Sequence, residues 1–180
     1  MSAANLLGGE GEGWKVAMAT ASSERGLNLR APGRFLAAAN QLVDLYKQLV
    51  REKKSIPPEL FNKIVEGYTA AQAYRWQVFS KASSLMHGET MGAEASYMKI
   101  FWSELDVDLH ATALELLAER GELLASAPDA TSEHDWMSGY LFSLSGPIYA
   151  GTNEIQRNIV AERVLGCLLY TSDAADESVR

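Results

Sequence analysis

The chain of 180 residues has a single cysteine, Cys167, so no disulfide framework can be built within it. It lacks any run approaching the ~20 apolar residues that a membrane-spanning helix needs. Its start, MSAANLLGGEGEG, has no basic segment followed by an apolar stretch, so a secretory signal is not expected. Positive charge is scarce: 16 Lys and Arg stand against 23 Asp and Glu, a formal net charge of −7. This argues against nucleic acid as a main partner, because phosphate backbones are bound by clustered Lys and Arg. Strand-like alternation of useful length is also missing. With no export signal, no disulfides and no membrane span, the expected location is cytoplasmic.

What is present is helical spacing. Phe35, Ala39, Leu42, Tyr46 and Leu49 step by four, three, four, three, and Leu36, Val43 and Val50 widen the stripe. Trp14, Ala17, Met18 and Ala21 form a shorter stripe before it, with a break expected at Gly26, Pro32 and Gly33. A third stripe runs Phe61, Ile64, Val65, Tyr68, Gln72 and on through Phe79 to Met86. A fourth runs Met98, Phe101, Trp102, Leu105, Leu109 and on to Leu116. Pro57-Pro58 suits a helix start, His87-Gly88 and Gly121 suit ends, and a short helix is expected from about Glu133 after the Pro128–Ser132 loop. Long antiparallel helices with short connections predict an all-α four-helix bundle, with a short extra helix pair at the C-terminal end.

The stretch CLLYTSDAADE, Cys167–Glu177, has neither helical period nor capping residues. It resembles the conceptual translation of a sequencing-transposon adapter, and residues 167–180 are expected to be an artefactual, disordered tail; a natural tail is the alternative.

Short motifs are weighed against plainer readings. GGEGEGW, Gly8 to Trp14, lacks the Lys-Ser/Thr ending of a phosphate loop and has no strand before it, so it reads as an entry into the Trp14 helix. His87, His110 and His134 have no metal-ligand spacing and read as surface or helix-end residues, so no metal site is expected. Arg51, Lys53 and Lys54 read as a solvated helix end. Thr152 or Asn153 can cap a helix, and Glu154 in its first turn complements the dipole. By spacing alone that is a plain helix start. The functional alternative is a cofactor site at a helix N-terminus, with Gly151 letting a ligand approach the backbone.

GGEGEGWKVAM, then Glu24-Arg25, then GAEASYMK (Gly92 to Lys99), then IYAGTNEIQRNIVAERVLG together resemble the acyl-CoA dehydrogenase family, over most of Leu6 to Gly166. The resemblance implies that residues 1–13 end the middle β domain or its linker and that 14–166 form the C-terminal helical bundle. It implies FAD as cofactor, an acyl-CoA substrate, electron-transfer flavoprotein as acceptor, and a homo- or hetero-tetramer assembled through the bundle. The implied reaction is α,β-dehydrogenation to a trans-2-enoyl-CoA, with a carboxylate taking the α-proton while a hydride leaves for the flavin. Many members carry the base as a Glu between Tyr and Gly-Thr; here that slot is Ala150, which cannot accept a proton. A smaller branch, similar to the isovaleryl and long-chain enzymes, places it in a Glu-Arg pair on the first bundle helix, which Glu24-Arg25 matches.

Carried over residue by residue, Glu24 is the implied base. Ser22, Arg25, Tyr149, Ala150 and Gly151 are implied substrate contacts, with the Ala150 N–H as thioester donor. Thr152, Asn153 and Glu154 are implied cofactor contacts. Two departures stand out: the usual Arg-x-x-Phe-Gly is absent from Gln48–Pro58, and Glu115–Glu119 replaces the usual Gln-x-x-Gly-Gly. They keep a second reading open, a non-catalytic assembly subunit whose flavin sites have decayed. The chain by itself is expected to be helical, flavin-free and inactive.

Overall fold

The computed structural model describes residues 5–26, 32–123, 126–128 and 134–168, with the side chains of 21–26 outside that description. Among the described residues there is no strand. The helices are α1 (Gly13–Gly26), α2 (Pro32–Arg51), α3 (Pro58–Met86), α4 (Glu94–Leu117), α5 (Trp136–Ser143) and α6 (Asn153–Arg163), with a 3-10 turn at Ala118–Glu122 after α4. The chain is all-α, four bundle helices followed by a short pair. Of the tail, only Cys167 and Leu168 lie within the description, and both are exposed.

Side-chain pairs fix the directions. Lys63 near the start of α3 meets Glu115 near the end of α4, and Lys81 late in α3 meets Glu94 in the first turn of α4. These two helices are therefore antiparallel. Tyr46 of α2 packs on Phe61 of α3 and Phe35 on Tyr74, so α2 and α3 are antiparallel too. The core between α2, α3 and α4 is built from Phe35, Leu42 and Leu49, Ile64, Tyr74 and Val78, and Met98, Trp102, Leu105 and Leu109. Each fully buried Leu or Phe contributes about 1.5–3 kcal/mol by leaving water.

The α2 and α4 stripes are buried largely as their spacing predicts, but the α3 stripe is not. The buried line of α3 is Ile64, Gly67, Ala71, Tyr74 and Val78. Phe61, Val65, Tyr68, Phe79 and Met86 are exposed instead. Small residues win the core because α3 and α4 approach closely: a Cβ on Gly67 would stand 2.8 Å from Leu109 Cδ2. Trp14 and Met18 of α1 are likewise exposed, and the side chain of Ala21, the last of that stripe, lies outside the described residues. α1 ends at Gly26 and α2 starts at Pro32, on either side of the expected break.

Pro58 occupies the first turn of α3, and α3 stops before His87, with Gly88 at φ 89°. α5 begins at Trp136; Glu133, near which the sequence places the start of the short helix, lies outside the described residues. Asp135 is its N-cap, accepting from Ser138 N at 2.9 Å and Ser138 Oγ at 2.7 Å. His110 is a further correction: its side chain is only 13% exposed, packed in mid-helix against Trp136 and Gly139.

Candidate functional site

The turn from Ser145 to Asn153 joins α5 to α6 and lies on α4. Gly146 sits so close to α4 that a Cβ there would be 3.3 Å from Ser103 Cβ and 3.0 Å from Ser143 O. Asn153 N donates to Pro147 O at 2.9 Å and closes the loop. Inside it, Ala150 at φ 54° and Gly151 at φ 87° are both left-handed. For Ala150 that conformation costs about 1–2 kcal/mol, so neighbouring contacts must hold it. Gln156 does so: its buried Nε2 donates to Ala150 O at 3.2 Å and Gly151 O at 3.3 Å. A Cβ at Gly151 would stand 2.5 Å from that nitrogen, so glycine is required by the turn itself. Among the described residues, no hydrogen-bond acceptor is paired with the Ala150 N–H.

Asn153, the first residue of α6, turns its side chain inward. Its Oδ1 accepts from Lys99 Nζ at 2.7 Å and Ser103 Oγ at 3.1 Å, and its Nδ2 donates to Glu104 Oε1 at 3.3 Å. Glu104 also bridges to Arg157 of α6. Lys99 is fully buried, and burial lowers its pKa; Glu154 and Glu104 pull it upward and Arg157 pushes it down again. Thr152 caps α6, its Oγ1 accepting from Ile155 N at 3.4 Å. The Glu154 carboxyl is held below its usual range by its own backbone N–H first and by the Thr152 hydroxyl second.

Tyr149 packs its ring 5.8 Å from Trp102, which stacks in turn on Phe35 at 5.8 Å. Burial raises the Tyr149 hydroxyl pKa, with Arg34 acting against it. Beneath lies a second polar cluster. Arg34 Nη2 donates to the buried Asp106 carboxylate, whose other oxygen is 3.4 Å from His110 Nδ1. The Arg34 guanidinium also covers the Phe142 ring at 5.2 Å.

The expected site residues thus fall into two groups. Tyr149, Ala150, Gly151, Thr152, Asn153 and Glu154 come together in one turn and helix start. Ser22, Glu24 and Arg25 lie in the last two turns of α1, and their side chains are outside the described residues. The backbone of α1 comes near that of α4, the helix on which the turn rests.

A family model described as "Acyl-CoA dehydrogenase, C-terminal domain" matches residues 11–165. The chain belongs to the acyl-CoA dehydrogenase family. "Acyl-CoA dehydrogenase IpdE1" of Mycolicibacterium smegmatis is 35% identical over 162 residues, covering 89% of this chain and 38% of that protein. The Mycobacterium tuberculosis protein of the same name is 32% identical over 163 residues, covering 89% and 40%. The solved "Tcur3481-Tcur3483 steroid ACAD" superposes with a TM-score of 0.72 at 21% identity, over 87% of this chain and 40% of that one, a likeness of fold. The chain spans about two fifths of the length of the curated relatives it matches.

Within this acyl-CoA dehydrogenase domain, sequence reasoning missed the residues that hold the turn. Ser96, Lys99, Ser103, Asp106 and His110 recur by three and four along α4, as a core stripe would, yet they are polar, and of these the sequence assigns a place only to His110, as a surface or helix-end residue. α5 and α6 cover them. Lys99, Gln156 and Asp106 could have been found only by asking what seats that final helix pair. A cleft of about 410 Å³ lies elsewhere, between α3 and α4, walled by Lys63, Glu66, Glu104, Asp108 and Glu115. Its acidic walls disfavour the phosphates of an acyl-CoA, and none of residues 145–153 lines it. Among the described residues, no group of three or more His, Cys, Asp or Glu could hold a metal ion, and no helix is long and apolar enough to cross a membrane.

Proposed function

We propose that this domain is the C-terminal part of an FAD-dependent acyl-CoA dehydrogenase, with Glu24 as the α-proton base and the Ala150 N–H as a donor to the thioester oxygen. The observation carrying this is the turn. Its two left-handed residues have their carbonyls tied to Gln156, while among the described residues the Ala150 N–H has no acceptor. A fixed amide donor with no partner of its own is what an enolate-like oxygen requires, because it stabilises developing charge without reorganising. With Ala150 unable to take a proton, the carboxylate must come from another element, and Glu24 on the adjoining α1 supplies one.

Flavin, when bound, supplies the hydride acceptor. The Thr152 hydroxyl and the first-turn N–H groups of α6 are donors that fit a polar cofactor edge, and Glu154 draws on the same donors now. Ser22 and Arg25 would contact the CoA portion, and Tyr149 and Gly151 would flank the reacting carbon. Electron-transfer flavoprotein is the proposed acceptor, with lipid oxidation in the cytoplasm as the setting. The exposed α3 stripe of Phe61, Val65, Tyr68 and Phe79 supports assembly into a tetramer through the bundle.

A second reading rests on Glu115. Its carboxylate takes two bonds from Lys63, at 2.7 and 2.8 Å, and is so engaged within the chain where the family's Gln-x-x-Gly-Gly would serve a neighbouring flavin. That favours an assembly subunit with decayed flavin sites. The test is to express the complete reading frame and assay acyl-CoA oxidation with an artificial electron acceptor. Bound-flavin absorbance with turnover is expected. A flavin-free protein that oxidises no acyl-CoA would overturn the enzyme reading in favour of the subunit.

A further inference from the structure

Lys99 is 0% exposed, which is rare for a lysine without a carboxylate partner. Among the described residues no carboxylate lies within ion-pair distance of it; its ammonium is used on the amide oxygen of Asn153 at 2.7 Å. The burial is complete within this chain and needs no other surface to account for it. An apolar side chain of similar volume would fill the same space at no desolvation cost, so packing alone does not explain a lysine here.

What it holds explains it better. Asn153 is the anchor of the 147–153 loop: its backbone N–H closes the loop on Pro147 O, and its side chain is gripped by Lys99 and Ser103 of α4. Gln156 grips the middle of the same loop from α6. Between the two grips stand Ala150 and Gly151, both left-handed, a conformation that is strained for Ala150. We infer that Lys99 is a positioning residue for the dehydrogenation, fixing the 147–153 loop through Asn153 and thereby the Ala150 N–H that meets the thioester oxygen. This rests on the proposed function, since it is the acyl thioester that gives the N–H a task. Lys99 touches neither substrate nor flavin. A loop shifted by a fraction of an ångström would still bind acyl-CoA but would no longer hold the oxygen as charge develops.

The experiment uses the flavin-loaded holoenzyme and Lys99→Met, which keeps length and removes charge and donor. Turnover is expected to fall about 10–100-fold with KM within about threefold, flavin content unchanged and Tm equal or higher. Lys99→Gln, which keeps an N–H donor on a shorter stem, is expected to recover part of the loss and decides the matter should Lys99→Met not fold. The losses from Lys99→Met and Asn153→Leu are expected to be non-additive, as for two members of one contact. Hydrogen exchange of residues 147–153 is read in parallel and is expected to quicken in Lys99→Met. Turnover within twofold of wild type, or unchanged exchange in that loop, would overturn the inference. If the wild-type holoenzyme oxidises no acyl-CoA, the proposed function fails by itself, and unchanged loop exchange would then refute the tether separately.

Discussion

Arg34 Nη2 donates to Asp106 Oδ2 at 2.6 Å, tying the start of α2 to the middle of α4 across 72 residues of sequence. The two partners are unequal: the Asp106 side chain is 2% exposed and that of Arg34 42%. Removing the arginine strands a buried carboxylate; removing the carboxylate leaves a cation that can still reach water. Arg34→Met is therefore expected to cost more stability than Asp106→Asn, about 2–4 against about 1–2 kcal/mol. Urea melts of both variants check the order, and equal losses would mean that the pair acts as an ordinary surface bridge.

Gly139 allows α5 to approach α4. A Cβ there would stand 2.5 Å from His110 Cδ2 and 2.6 Å from its Nε2. The ring is also held through Nδ1 to Asp106 O at 2.8 Å, so it cannot swing away freely. Gly139→Ala is expected to destabilise by about 1–3 kcal/mol, as overpacking does. A gain in stability, from lower helix entropy in the unfolded chain, would show that His110 yields easily.

These two contacts also show where the sequence was readable. The α2 stripe was legible because its apolar residues occupy one face and the opposite face is polar. α3 has two apolar faces, and the bulkier one, Phe61, Val65 and Tyr68, attracts the eye. The core took the smaller one, Gly67 and Ala71, because helix approach is set by fit as well as by apolar mass. On α4 the polar stripe from Ser96 to His110 could not be told from a solvated face, because its cover, α5 and α6, lies far downstream in sequence. In the site, Ala150, Gly151 and the Thr152 cap were visible locally, whereas Lys99 and Gln156, although inside the quoted motifs, act through folded contacts that their local spacing does not show.

Tyr74 gives the fold an alkaline limit. Its hydroxyl is buried, and burial raises its pKa well above the ordinary 10. The unfolded chain ionises this group near pH 10 and the folded one does not, so the folded form binds more protons above that pH. Stability from this group is present in full below pH 10 and falls as pH rises beyond it, by up to about 1.4 kcal/mol per pH unit. Thermal melts between pH 9 and 11 should show the fall, and Tyr74→Phe should flatten it. An unchanged slope in Tyr74→Phe would assign the alkaline loss to other groups.

The α3 stripe gives a test of assembly. Val65 is 47% exposed within this chain and Tyr68 37%. A charge at either place should leave the fold intact but break contacts made by that face. In the holoenzyme, Val65→Glu is expected to shift the oligomer to smaller species in sedimentation with helix content unchanged. An oligomer that keeps its size would place the assembly surface elsewhere.

Glu24 bears on the proposed chemistry most directly. Glu24→Gln keeps size and hydrogen bonding but cannot take a proton, so turnover should be abolished while flavin stays bound and acyl-CoA affinity changes little. A carboxylate lying against an acyl chain and a flavin would have its pKa raised toward that of a usable base. As a mere surface partner of Arg25 it would contribute only about 0–1 kcal/mol, and its loss would barely touch turnover. The Ala150 slot supplies the complement. Its backbone is already left-handed with alanine, so glutamate adds little further backbone strain there, and it would project a carboxylate from the same turn that bears the thioester donor. Ala150→Glu in the Glu24→Gln background is expected to restore part of the turnover, because two elements would then address one α-carbon. Stopped-flow reduction of the flavin by acyl-CoA separates the proton-abstraction step from product release. Near-normal flavin reduction in Glu24→Gln alone would end the assignment and leave the base to be sought outside this domain.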